Sequence, residues 1–282
     1  MYNKYLCVSV NESIAASPPD NSELSHLLGE FAEACTDDGR NIITVNHSND
    51  MKYFTVGPYC GFACFTDGTL LEILPRTKSG TAEARKRLCV EFCKRCGAPF
   101  DHSGFDPDMN FLEYFISVFA NETMKIIKSG VLSTYTSREE NLNSVQGTIL
   151  FSENNRRNLV HRERIYVRHD VFTPDRAENR IIKAAAAKFN KITANSKSSH
   201  LLKEALSFLD EVVVPYNINA EFSKCINTRN TKKYSIILSI CRMLFDKNEG
   251  TAFSGKSISC AQFYKTHSQM PIKKLEATVA GR

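Results

Sequence analysis

The chain has 282 residues, of which 42% are hydrophobic and 24% charged, and a formal net charge of +5. This is enough apolar material for one or two domains with a buried core, which excludes a disordered tail. No apolar run approaches the ~20 residues of a membrane span, and the N-terminal MYNKYLCVSVNES lacks the apolar stretch of a secretory signal, so a cytoplasmic protein is expected. Ten cysteines without a secretion signal read as reduced thiols. The net charge is too modest to mark a nucleic-acid binder by itself, so any electrostatic argument rests on local clustering.

In chain order, residues 4–10 read as a short strand, and SPPDNS is a turn into an amphipathic helix with Leu24, Leu27, Leu28, Phe31 and Cys35 on one side. Strand candidates at 41–45, 53–56, 61–65 and 70–74 are separated by NHSND, GPY and TDG, turn chemistries suited to an antiparallel sheet or small barrel. TAEARKRLCVEFCKRCG then carries Ala84, Leu88, Phe92 and Cys96 at helical spacing and stops at Gly97. A second helix is predicted over about 109–128, and strands near 131–135, 145–151 and 165–172. From Pro174 to Phe245 three apolar stripes predict three helices that pack as a small bundle: one from Pro174, one over 199–213 closed by Pro215, and one over 232–245. Thr173, Pro174 and Asp175 supply a hydroxyl, a preset φ and a carboxylate for the start of the first.

Three constellations invite a chemical reading. Gly250, Gly255, Lys256 and Ser257 fit G-x-x-x-x-G-K-S/T, the phosphate-binding loop. Asp246, Lys247, Asn248 and Glu249 precede it where a buried strand should end, and only 25 residues follow Ser257, so a loop with a chance match is favoured. Cys89, Cys93 and Cys96 have the spacing of an iron–sulfur motif, but they lie on a predicted helix, and a zinc site would need His102 as fourth ligand; helix-buried thiols are the favoured reading. Asp50-Met51-Lys52 is the single D-x-K or E-x-K and lies in a turn, with Asp37 or Asp38 as conceivable partner acids. A turn is a poor platform for a nuclease metal site, so no catalytic or metal-binding residue is assigned.

The densest organisation is at residues 145–192. Arg162, Arg164, Tyr166 and Arg168 alternate with Glu163, Ile165 and Val167, a period of two that predicts a strand with one basic and one mostly apolar face. With Arg156 and Arg157 the segment 156–168 holds five arginines against one Glu163, a local excess of four positive charges. Such a row suits phosphate, a carboxylate surface or the catalytic loop of a nucleotide hydrolase. These five arginines are the candidate partner-binding residues.

The run VQGTI, then RHD, then D-x-x-x-N-R-I-I-K (Asp175, Asn179, Arg180, Ile181, Ile182, Lys183) resembles the McrC family, the non-motor subunits of McrBC-type restriction systems for modified DNA. GFACFTDGTLLEILPRTKSG resembles that family's N-terminal hairpin ending in I-x-P-K, with Arg76 where lysine is usual. The resemblance spans roughly residues 53–269. It implies a subunit that docks into a ring of AAA+ GTPase (McrB-like) subunits and stimulates GTP hydrolysis, reaching 5-methylcytosine-modified DNA through the complex. It implies no cofactor in this chain, with GTP and magnesium belonging to the partner. In the family a PD-(D/E)xK nuclease usually follows the matched region; here MPIKKLEATVAGR stands in its place, so the chain is expected not to be an enzyme by itself. The expected fold is α+β: a β-rich, barrel-like domain with inserted helices over 1–105, an α/β segment and helical bundle forming the docking region over 106–250, and a C-terminal loop or tail over 251–282. Two alternatives from other classes are a small P-loop nucleotide hydrolase using Lys256 and Ser257, and a nucleic-acid-binding module acting through the basic strand.

Overall fold

The computed structural model describes residues 2, 4–15, 22–37, 39–48, 51–245 and 258–265. Its first half is built on a four-stranded sheet of order β1-β6-β5-β10, formed by β1 (Lys4–Ser9), β5 (Tyr59–Phe65), β6 (Thr69–Leu74) and β10 (Ile258–Lys265). β1 runs parallel to β6, and the other two pairings are antiparallel. A smaller antiparallel sheet, β2-β4-β3, comes from β2 (Ser13–Ala15), β3 (Ile43–Ser48) and β4 (Met51–Val56). Helix α1 (Ser22–Asp37) packs on β3 and drives Phe31 edge-on against Phe65.

Strands β5 and β6 are buried along almost their whole length, which explains their near-continuous apolar sequence where a half-solvated strand would alternate. They are covered by α2 (Gly80–Cys96) and α3 (Phe111–Lys128): Phe111 and Phe115 pack on Phe62, and Phe92 packs on both, with ring centroids 4.7–6.4 Å apart. α2 ends on Gly97 in the left-handed conformation, as its sequence predicts. α3 starts after Asn110, whose side chain accepts from the Glu113 N–H.

Strand β10 corrects the expectation of a loop or tail for residues 258–265. It is buried from Cys260 to Tyr264 and pairs with β5, which ends at Phe65, about two thirds of the chain away. Gly61 permits the close approach: a Cβ there would lie 1.8 Å from the Gln262 carbonyl oxygen.

The bundle consists of α5 (Ala177–Ile192), α6 (Ser196–Phe208), α7 (Ile218–Lys224) and α8 (Ser235–Phe245), the last entered through a 3-10 turn over Lys232–Tyr234. α7 was not predicted, and α6 ends earlier than expected, at Phe208. α8 packs on α2, α3, α5 and β10, and α5 on α3, so bundle and sheet share one core. Between α3 and α5 a third sheet, β7-β9-β8, is built from β7 (Thr134–Leu142), β8 (Thr148–Ile149) and β9 (Ile165–Thr173), with the short helix α4 (Phe151–Arg157) packed on β9. The architecture is α+β, a β-rich first part followed by an α/β segment and a helical bundle.

Candidate functional site: the arginine-bearing ribbon

β7 and β9 pair without a break from Thr134↔Thr173 to Leu142↔Ile165, a nine-residue antiparallel ribbon. At about 3.4 Å per residue it is some 27 Å long. β7 is exposed at most of its positions. Gly147 of VQGTI has φ +70°, and a Cβ there would come within 2.3 Å of the Arg168 carbonyl oxygen, so a glycine is needed to bring β8 against β9.

The five arginines do not form the predicted row. Only Arg168 is on the strand; β9 begins at Ile165, and Arg162 and Arg164 lie in the turn before it, where the Arg164 N–H donates to the His161 carbonyl. The expected basic and apolar faces fail at Tyr166 and Val167, neighbours that are both buried. Tyr166 is covered because α4 folds over it: Arg157 stacks on its ring at 4.6 Å, and the Asn154 side chain accepts from its N–H. Phe151, read as the end of a strand over 145–151, instead opens this helix, which runs to Arg157.

Folding also brings in carboxylates from outside the arginine segment. Arg168 is held by Glu139 across the ribbon, through Nη2 at 2.6 Å and Nε at 3.0 Å. Glu153 takes Arg156 at 2.8 Å and Arg157 at 3.0 Å, and these hydrogen bonds hold its carboxyl below the usual range. Glu163 pairs with His161 and lies 4.0 Å from Arg164. Residues 134–173 carry six arginines against five acids, so the apparent excess of four charges shrinks to one. Arg162 stands apart: it is exposed and makes no ion pair or hydrogen bond with another described residue.

The base of the ribbon is fixed by the residues of D-x-x-x-N-R-I-I-K. Asn179 is fully buried; its amide donates to the carbonyls of Leu132 and Pro174, and its oxygen accepts from the Tyr234 hydroxyl, which itself accepts from the Leu132 N–H. Asp175 receives both Nε and Nη2 of Arg180 at 2.8 and 2.6 Å and the N–H of Val213 at 2.9 Å; the Arg180 contact, before all others, lowers its pKa. Lys183 caps the carbonyls of Asp210 and Val212. These tertiary bonds explain why α5 starts at Ala177 and not near Pro174: Thr173 accepts from the Asp175 N–H in a turn, and the Asp175 carboxylate is committed to Arg180 and Val213.

Sequence reasoning missed the exposed aromatic pair at this base. Tyr135 and Phe172 stand opposite each other with centroids 5.1 Å apart, 71% and 62% exposed. Both were in predicted strands, but a strand pattern alone does not say which face lacks a cover.

Other candidate groups resolve differently. Cys89, Cys93 and Cys96 are buried side chains of α2, and burial raises all three thiols, Cys96 to about 11. Among the described residues no group of three or more His, Cys, Asp or Glu side chains is placed to hold a metal ion. Asp38, Asp50 and the loop containing Gly250, Gly255, Lys256 and Ser257 lie outside the described residues, and Lys52 rests over the Phe54 ring. No described helix is long and apolar enough to cross a membrane.

The fold is an α+β core that carries a largely exposed, nearly charge-balanced ribbon. Residues 54–267 match the McrBC 5-methylcytosine restriction system component family, and the chain belongs to it. Comparison with curated proteins gives no significant match. Two solved assemblies share the fold. One is the cryo-EM structure of the Thermococcus gammatolerans McrBC complex, with TM-score 0.66 and 16% identity over 93% of this chain and 83% of the matched chain. The other is a half-complex from a tetradecameric assembly of Thermococcus gammatolerans McrB AAA+ hexamers with bound McrC, with TM-score 0.68 and 16% identity over 86% of this chain. This chain spans 65% of the length of that second match.

Proposed function

We propose that this chain is the McrC-like subunit of a modification-dependent restriction system, which binds an AAA+ GTPase ring and stimulates its GTP hydrolysis from outside the motor's own fold. In this reading GTP and magnesium belong to the ring, modified DNA is reached through the complex, and the chain works in the cytoplasm without being an enzyme by itself. Family membership and the shared fold support the class of the reading. The observation that carries the surface is the ribbon, an exposed element presenting arginines from α4, the turn before β9 and β9 itself.

Activating a nucleotide hydrolase in trans takes a group that stabilises charge on the transferring phosphoryl or orders the residues positioning water, and arginine suits both. Arg156, Arg157, Arg164 and Arg168 each face a glutamate within 4.0 Å, so their charge is partly spent inside the lobe. Arg162 is the one of the five left open to a partner. Direct nucleic-acid binding is a weaker reading, because a lobe with a net charge of one offers little for phosphate.

The test is titration of an McrB-type GTPase with wild type and single alanine variants of the five arginines. Arg162→Ala is expected to depress the stimulated plateau most. An activating arginine in trans is worth on the order of 10³–10⁵ in rate, whereas one that only docks moves the midpoint. Five variants indistinguishable from wild type in both would remove the arginines from the working surface.

A further inference from the structure

We infer that the base of the ribbon is a second, separate docking surface, one that fits an apolar segment of the GTPase ring flanked by lysine or arginine. The inference rests on the proposed function and assigns a different part of the same interface. Its centre is the Tyr135–Phe172 pair, two aromatic rings side by side in solvent where every other exposed position of β7 and β9 is polar. The bundle adjoins this base. Three residues after Phe172, Asp175 takes the Val213 N–H at 2.9 Å, which places the loop after α6 beside the ribbon's base. In that loop Val213 and Val214 are 57% and 56% exposed and Tyr216 is fully exposed.

Aromatic residues that hold their geometry in solvent are the residue types that dominate binding energy in protein interfaces. Here the geometry is held firmly: Asn179, Tyr234, Asp175 and Arg180 lock the ribbon to α5 and the loop to both, so binding costs little further ordering.

The rim sets the charge of the partner. Asp170 shares the ribbon face of Phe172 by the period of two, and Asp210 and Glu211 are separated from the exposed Val213 and Val214 only by the buried Val212. All three carboxylates are exposed, and none makes a side-chain hydrogen bond or ion pair with another described residue. Five of the six arginines of the ribbon lobe have a carboxylate partner nearby, Arg162 being the exception, whereas these acids have none. An apolar centre with unpaired acids at its edge is complementary to an apolar segment with basic flanks, and the rim charges should act mainly on association rate and salt dependence.

The experiment titrates an McrB-type GTPase hexamer with wild type, Phe172→Ser, Val213→Ser, Tyr216→Ala and the double variant Asp210→Lys/Glu211→Lys, reading stimulated GTP hydrolysis at two salt concentrations. All the altered side chains are solvent-exposed, and Tyr216→Ala, at the most exposed of them, covers the case in which a ribbon variant does not fold. Expected is a midpoint shifted on the order of tenfold for Phe172→Ser, a weaker salt dependence for the charge reversal, and an unchanged plateau throughout. Wild type that stimulates while every variant matches it in midpoint overturns the inference alone. A lowered plateau at a fixed midpoint also overturns it, since the patch would then not be a docking surface. Wild type that gives no saturable stimulation overturns the proposed function, and this inference with it.

Discussion

The same chemistry, arginine against glutamate, is used in two opposite ways in this molecule. In the core, Glu72 on β6 is fully buried and accepts from Arg85 through Nε at 3.1 Å and Nη2 at 2.8 Å, from the Tyr5 hydroxyl and from the Phe111 N–H at 2.6 Å. Arg85 also donates to the Pro107 carbonyl. One carboxylate thus ties β1, β6, α2 and the start of α3 together, with Glu72, Arg85 and Phe111 all buried. On the ribbon, Arg168–Glu139 and the Glu153 pairs are about as short but stand in water. Burial turns the first into architecture. Exposure leaves the second free to be exchanged for a partner's groups.

The sharpest way to break this comparison is Glu72→Ala. Removing one member of a buried pair leaves the other charge uncompensated, at a cost of about 3–5 kcal/mol, and the variant is expected to lose most of its urea midpoint. A loss below about 1 kcal/mol would mean that Glu72 behaves like a surface group and that the contrast is wrong.

Next in size is Glu113, 5% exposed on α3, which accepts from the Tyr2 hydroxyl, the Thr193 hydroxyl and the Ala194 N–H, each at 2.6 Å. Glu113→Ala strands those donors, two of which belong to the turn between α5 and α6. A loss of about 2–3 kcal/mol is expected from donors left without their charged acceptor, together with faster amide exchange at residue 194.

Asp175 lies between the two regimes. Its carboxyl is held below its ordinary value first by Arg180, so its folded pKa is lower than its unfolded one. The sign follows: the stabilisation is present above the unfolded value near 3.8 and is lost as pH falls through the lower folded value. Asp175→Asn should therefore cost about 1–2 kcal/mol at neutral pH, with a difference from wild type that narrows below pH 4 in paired unfolding curves. A gap independent of pH would show that packing, not charge, is what the asparagine disturbs.

How legible each part was follows the range of its interactions. α1, α2, α3 and α5 could be read from local spacing, and Gly97 and Asn110 mark boundaries by backbone chemistry that needs no knowledge of the fold. β10 could not, because nothing near Ile258–Lys265 announces a partner; the Cys60 thiol meets the Tyr264 carbonyl across 204 positions. The arginine cluster was legible as composition but not as charge. Arg168 is neutralised by Glu139, 29 positions upstream, a pairing fixed by the register of β7 on β9. The start of α5 was displaced for the same reason: Asp175 looked like a helix-entry carboxylate, yet its partners are Arg180 and the distant Val213.

The smallest expected effect is the most discriminating. Arg168 and Glu139 have side-chain exposures of 54% and 40%, and an exposed pair of this kind contributes about 0.2–1 kcal/mol, screened further by salt. Glu139→Gln should leave the unfolding midpoint almost unchanged while releasing the Arg168 guanidinium. If the ribbon's arginines act on a GTPase ring, release should increase the stimulation obtained at low salt and steepen its decline as salt rises, the opposite of Arg168→Ala. Parallel losses in the two variants would mean that the pair works as a rigid unit holding the ribbon's shape. Were both variants silent in stimulation as well as stability, Arg168 would be a solvated strand residue, and the working surface would contract to the turn that carries Arg162.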